Sequence, residues 1–169
     1  GRHPLPSPEA WAQTKTRLGI NGNTLVVAYD KQGSVYASRL WWMLKATGHA
    51  NVRVLDGGLD AWNGPMGSVP RQPTPSPQPQ SPIPFFGLAL VDELMSNISS
   101  KKNIVLDARS SDRFHGENET IDPIGGHIPG AINHFFKNNL SATTFKAPEQ
   151  LYKQFLELLG SGKASEVIH

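Results

Sequence analysis

Eight of the chain's fourteen prolines fall between Pro65 and Pro84. Proline fixes φ and brings no N–H donor, so neither regular helix nor a sheet interior can run through such a stretch. The 169 residues are thereby cut into three pieces: 1–63, a proline-rich segment 64–84, and 85–169. The middle piece reads as an extended, polyproline-like linker. A docking motif for a proline-reading domain is the sharper alternative for the same residues.

Composition narrows what the flanks can be. Apolar residues make up 38% and charged residues 18%, the balance of a globular chain rather than a disordered tail. A formal charge of +2 gives no basic surface from which nucleic-acid binding could be argued. The longest apolar run falls well short of the roughly 20 residues of a membrane helix. No secretory apolar region opens the chain. There is no cysteine, which excludes disulfides, thiolate-held zinc and a thiol nucleophile within these residues. The opening Gly1-Arg2-His3-Pro4-Leu5-Pro6 reads as the interior of a longer protein, and the chain stops on an apolar pair, Val167-Ile168.

In the first piece, Ser7-Pro8-Glu9 predicts a helix start and Gly19 a stop. Thr24 to Tyr29 is a short apolar run that reads as a strand buried on both faces. Ala37, Leu40, Trp41 and Leu44 fall at helical spacing ahead of Gly48, with Arg39, Trp41 and Trp42 expected to pack at the core. Val52 to Leu55 predicts a second strand, and Leu59 to Trp62 a short helix. In the third piece a helix over Val91–Ile98 precedes a strand at Asn103–Leu106. A polar loop from Ser110 to Gly126 follows, then a turn into a strand at His127–Asn133. Leu151, Phe155, Leu158 and Leu159 share one face of a helix over Pro148–Leu159, stopped by Gly160. Residues 164–169 open a further strand. Alternating strands and helices with short connections predict an α/β fold, a parallel sheet flanked by helices.

Most chemical signals are weak in isolation. The six histidines show no metal-ligand spacing. There is no dinucleotide fingerprint, phosphate loop or nucleophile elbow. The stretch Tyr29-Asp30-Lys31-Gln32-Gly33-Ser34 is more informative. It joins a strand to a helix N-terminus, where backbone N–H groups can converge on an anion. The residue in the nucleophile's place is Asp30, whose carboxylate would occupy that nest itself. Asp30 therefore reads as a cap in a structural half.

Several of these segments together resemble the rhodanese family, specifically its tandem two-domain sulfurtransferases. Val27-Ala28-Tyr29-Asp30-Lys31-Gln32-Gly33-Ser34 and the helix behind it look like the second half of the family's N-terminal domain. Val54-Leu55-Asp56-Gly57-Gly58-Leu59-Asp60-Ala61-Trp62 is similar to the closing signature of that half. Val105-Leu106-Asp107-Ala108-Arg109, Arg113-Phe114-His115-Gly116 and Gly126-His127-Ile128-Pro129-Gly130-Ala131-Ile132-Asn133 look like the opening of the C-terminal domain. The resemblance implies two incomplete repeats joined by the proline-rich linker: 1–63 as the C-terminal half of the non-catalytic domain, 64–84 as linker, and 85–169 as the N-terminal half of the catalytic domain. A single permuted domain made of both halves is the alternative arrangement.

By that resemblance the chemistry is persulfide transfer. A cysteine thiolate takes the outer sulfur of thiosulfate or 3-mercaptopyruvate and hands it to cyanide or a thiol. The cysteine is expected just after His169, so these residues alone are expected to be inactive. Arg113 matches the arginine that holds the donor's anionic group, against the plainer reading of a loop arginine paired with Asp112 or Glu117. His3, in His3-Pro4-Leu5-Pro6, resembles a segment lining the site from the N-terminal domain. Asp30 takes the inactive-loop position. Arg109, Asp107 and His127 match positions of mainly structural role. The loop from Glu119 to Gly125, ahead of Gly126, holds no second arginine of the kind that mercaptopyruvate-type members tend to carry there, which weighs against recognition of a keto acid. The resemblance further implies no cofactor, a small anionic sulfur donor, a thiol or cyanide acceptor, and no nucleic-acid or membrane partner. It also implies a monomeric parent protein in the cytoplasm, with a mitochondrial or periplasmic setting left open. A non-catalytic module that binds an anion or a protein is the competing expectation.

Overall fold

A computed structural model of the chain describes residues 3–67 and 72–169; Gly1, Arg2 and residues 68–71, with Pro70 of the expected linker, lie outside them. The chain divides into two units, Gly1–Leu88 and Ala89–His169.

In the first unit Ser7 turns the chain into helix α1 (Pro8–Arg17): its Oγ accepts the Ala10 N–H at 3.2 Å, and Pro8 sits where a missing N–H costs nothing. Strand β1 (Val26–Ala28), helix α2 (Val35–Ala46) and strand β2 (Val52–Val54) follow, then a 3₁₀ turn at Gly58–Ala61. β1 and β2 run parallel, with Val26 opposite Val52 and Ala28 opposite Val54. The core gathers Trp11, Ile20, Met43, Leu44 and Val52, with Leu44 fully buried. Trp11 keeps its polar tip satisfied by donating Nε1–H to Thr47 Oγ1 at 3.1 Å.

Two expectations change here. β1 is not buried on both faces: Val27 is 47% exposed, and Leu25 and Tyr29 are exposed beside it. A two-stranded sheet with its helices on one face leaves the other face bare. Trp41 also points outward, while Trp42 stacks on Phe85 at 5.7 Å and Arg39 donates Nη2–H to the Pro4 carbonyl at 2.8 Å. On α2, 3.6 residues per turn carry Trp41 past the edge of the face that Leu40, Met43 and Leu44 present to the core.

Residues 72–86, the described end of the proline-rich stretch and the two residues after it, are docked rather than free. The non-proline residues among them retain N–H groups, and the first unit's helices offer acceptors. Ser76 N–H reaches the Thr16 carbonyl at 2.8 Å, Gln80 N–H the Thr16 Oγ1 at 2.9 Å, and Phe86 N–H the Ala46 carbonyl at 2.9 Å. Gly19, at φ +68°, lets the Thr74 carbonyl pass so closely that any Cβ there would collide with it.

The second unit contains α3 (Val91–Ser100), β3 (Ile104–Asp107), α4 (Ser111–Phe114), β4 (Ile132–Asn133), a 3₁₀ turn at Phe136–Asn139, β5 (Leu140–Ser141), β6 (Thr144–Phe145), α5 (Pro148–Leu159), a 3₁₀ turn at Ala164–Glu166 and β7 (Val167–Ile168). The main sheet has the order β4-β3-β7, all parallel, with Ile104 opposite Val167 and Leu106 opposite Ile132. Two features had no clear sequence signal. α4 is a single turn inside a polar loop, and β5–β6 is an antiparallel hairpin of two residues per strand. Both are too short to show a period.

Apolar burial is thin in this unit: Val105 and Phe114 are its buried hydrophobic residues among those described. Side-chain hydrogen bonds knit it instead. The Asn97 amide brackets Asn103, donating to its carbonyl and accepting its N–H, both at 2.8 Å. His134 Nε2–H and Gln154 Nε2–H both reach Asn139 Oδ1, at 2.8 and 3.0 Å, and Lys146 Nζ donates to Gln154 Oε1 at 3.0 Å.

Candidate functional site

In open parallel sheets, loops leaving the carboxyl ends of the strands form the binding crevice. Both units place their charged groups there.

In the first unit the loop after β1 carries Asp30. Asp30 Oδ1 accepts the N–H groups of Gln32 and Ser34 at 2.8 and 2.9 Å, and Oδ2 those of Tyr36 and Ala37, both at 2.9 Å. Gly33 at φ +70° and Ser34 at φ +67° are left-handed, which turns the successive N–H groups inward. Burial pushes the Asp30 carboxyl up, but the four N–H donors outweigh it and hold the group below its ordinary value. The turn after β2 closes on the same loop, where a Cβ on Gly58 would strike the Asp30 carbonyl. The nest is thus filled by a carboxylate that belongs to the chain. His3 is exposed.

In the second unit the loop after β3 carries the charges. Arg109 grips Asp107 through Nε, at 3.0 Å to both carboxylate oxygens, and through Nη2 at 2.6 Å, and it donates to the Gly126 carbonyl at 2.6 Å. Burial raises the Asp107 carboxyl, yet the Arg109 hydrogen bonds prevail and lower it. Asn133 on β4 donates its amide to the Asp107 and Arg109 carbonyls at 3.1 and 2.8 Å. His127 stacks on Phe114 at 3.7 Å and donates Nδ1–H to the Phe114 carbonyl at 2.8 Å.

Arg113, on α4, does not pair with Asp112 or Glu117. Its Nε and Nη2 donate to Glu119 Oε2 at 3.2 and 3.0 Å, and Nη2 also to Asp122 Oδ2 at 3.2 Å. Asp112 instead accepts from the Ser110 hydroxyl and from its neighbour's backbone N–H. The reason lies in the loop itself. Gly116, at φ +80°, and Gly125 bring residues 116–126 to a narrow neck, since a Cβ on either would lie about 3 Å from the backbone of the other strand of the loop. Glu119 pins the interior: its Oε1 accepts the N–H groups of Ile121 and Asp122 at 2.8 and 3.0 Å. Those two donors, Asp122 first, together with Arg113 hold its carboxyl down to about 2. Sequence reasoning picked out Arg113 and overlooked Glu119 and Asp122. Their only signal was two acids in a loop closed by glycines.

β7 lies beside β3 and runs parallel to it, with Val105 opposite Ile168. His169, after β7, therefore lies toward the same carboxyl edge as the loop that carries Arg109.

A parallel sheet flanked by helices, twice over, with a charged loop at the carboxyl edge of each unit, defines an α/β protein built from two related halves. The comparisons give that class its family. The model of the rhodanese-like domain matches residues 1–65 and 90–168, and the chain belongs to that family. It is 39% identical over 163 residues to the 3-mercaptopyruvate sulfurtransferase of Homo sapiens, covering 92% of this chain and 54% of the relative. It is 36% identical over 160 residues to the thiosulfate sulfurtransferase of Bos taurus, covering 89% and 54%. A crystal structure from Escherichia coli, described as a 3-mercaptopyruvate sulfotransferase of rhodanese fold, superposes with a TM-score of 0.71 at 28% identity, over 90% of this chain and 58% of that one. The chain spans about half the length of the curated relatives it matches. No helix among the described residues is long and apolar enough to cross a membrane.

Proposed function

We propose that the parent protein is a sulfurtransferase in which these residues supply the non-catalytic half-domain (1–63), the proline-rich connection (64–84) and the anion-binding front of the catalytic domain (85–169). The observation that carries the reading is the carboxyl edge of β3, where two arginines converge beside the parallel strand β7. The nucleophile is a cysteine on a loop following β7. Its thiolate attacks the outer sulfur of thiosulfate; the S–S bond breaks, sulfite leaves and a persulfide remains. Cyanide then takes the outer sulfur as thiocyanate and the thiolate returns. With 3-mercaptopyruvate the C–S bond breaks instead, and pyruvate leaves after protonation at carbon. Arg113 holds the sulfonate or carboxylate of the donor, and Arg109 positions the loop through Asp107 and Gly126. No metal or organic cofactor enters these steps, and the setting is the cytoplasm.

Thiosulfate and cyanide incubated with the 169 residues alone should yield no thiocyanate above background. Robust turnover would overturn the assignment of the nucleophile to another segment. A second reading, a non-catalytic anion-binding module, is favoured by one observation: the nest after β1 is already filled by Asp30. A gene that continues past residue 169 into a cysteine-bearing loop would reject it.

A further inference from the structure

The two carboxylates on Arg113 sit in different surroundings. The Glu119 side chain is only 5% exposed and is tied to two backbone N–H groups of its own loop. The Asp122 side chain is 42% exposed and meets Arg113 through Nη2 at 3.2 Å. A buried, multiply bonded carboxylate stays in place when a ligand arrives. An exposed one in a solvent-facing ion pair is weakly held and can be displaced.

From this difference we infer that Asp122 is a built-in competitor at Arg113 that sets which donor charge the site accepts, while Glu119 is the positioning residue that aims the guanidinium. The inference rests on the reading of Arg113 as the donor-anion arginine. A sulfonate or carboxylate that bonds Nη2 takes it from Asp122, and one that bonds Nη1 still lies beside the Asp122 carboxylate. Repulsion between the two scales with the charge on the ligand. A dianion such as thiosulfate is therefore penalised more than a monoanionic keto acid. Asp122 tilts the site toward singly charged donors although no second arginine lies in the loop. Among the described ion pairs, Arg109 and Arg113 meet three carboxylates, Asp107, Glu119 and Asp122.

The test is an NMR titration of the 169-residue chain with thiosulfate and, separately, with pyruvate, followed at the Arg113 Nε–H and the Gly116 and Gly126 amides. Asp122→Asn should tighten thiosulfate about fivefold and pyruvate about twofold, so that the preference between them shifts. Asp122→Ser should reproduce the shift, and Glu157→Gln, which removes the same charge from α5, should not. Equal tightening of both anions, or none, with thiosulfate still lost in Arg113→Gln, overturns the role of Asp122 and leaves Arg113 standing. Unchanged binding in Arg113→Gln overturns the Arg113 reading itself. If neither anion binds the chain or its Asp122→Asn variant, both fall. Binding of thiosulfate that appears only in Asp122→Asn supports both.

Discussion

The two units solve the same problem with opposite materials. The first is held by an apolar core of Trp11, Ile20, Met43, Leu44 and Val52, and its charged loop is a single carboxylate satisfied by four backbone N–H groups. The second buries little apolar surface and is held by side-chain pairs: Asp107 with Arg109, Glu119 with Arg113, Asn97 with Asn103, and His134 with Asn139. Dispersion and apolar burial do not titrate, so the first unit's core itself carries no pH dependence and its Asp30 loop carries what there is. A polar network can be opened by an anion or a proton, which suits the unit that carries the arginine proposed to bind substrate.

All four tryptophans lie in the first unit, at positions 11, 41, 42 and 62, so fluorescence isolates its response. Leu44→Ala should give the largest change, a loss of about 3 kcal/mol from deleting a fully buried side chain, read as an earlier urea midpoint in tryptophan emission. The Gly116 and Gly126 amide signals should stay in place; their collapse in the same variant would break the separation of the two units. Asp30→Ala should cost about 2 kcal/mol, since four N–H groups lose a charged acceptor. Added sulfate should restore part of that loss if the emptied loop still gathers anions. A variant as stable as the wild type would show the nest to be idle. Thr16→Val removes the hydroxyl that accepts from Gln80 and should cost about 1 kcal/mol. Protease cleavage within residues 72–84 should speed up with it, and an unchanged cleavage rate would mean the proline segment is not held through this bond.

The most local effect is acid loosening of the 116–126 loop. Glu119 sits at about 2 in the folded unit against an ordinary 4.5, so it contributes stability above its unfolded value. That contribution fades as pH falls from about 4.5 toward about 2. Gly116 and Gly126 amide shifts should move over that window. Glu119→Gln should abolish the pH response of the loop. A response that survives in this variant would assign the titration to another carboxylate.

Much of the architecture was legible because periodicity and punctuation act locally. Ser7 with Pro8 marked α1, Gly48 closed α2, and Pro148 with Gly160 bounded α5 within a residue. The α4 turn and the β5–β6 hairpin were not legible, because elements of two to four residues show no period. Asp30 could be read as filling its own loop because all its partners lie within seven residues of it. Trp41 and β1 were misjudged because hydrophobicity says that a side chain can be buried, not whether anything lies across from it.

The sequence by itself determined the class: two parallel α/β pieces, a proline-rich stretch between them, an aspartate where a nucleophile would stand, and an arginine at the mouth of the second sheet. Tertiary structure alone decided that the proline stretch docks on the first unit, and that Arg113 is held by Glu119 and Asp122 rather than by Asp112 or Glu117. The physical reason is shared. Both outcomes depend on which donors a fold leaves unpaired and which acceptors it brings within 3 Å. Spacing along a chain does not encode that once a loop closes on itself through glycines.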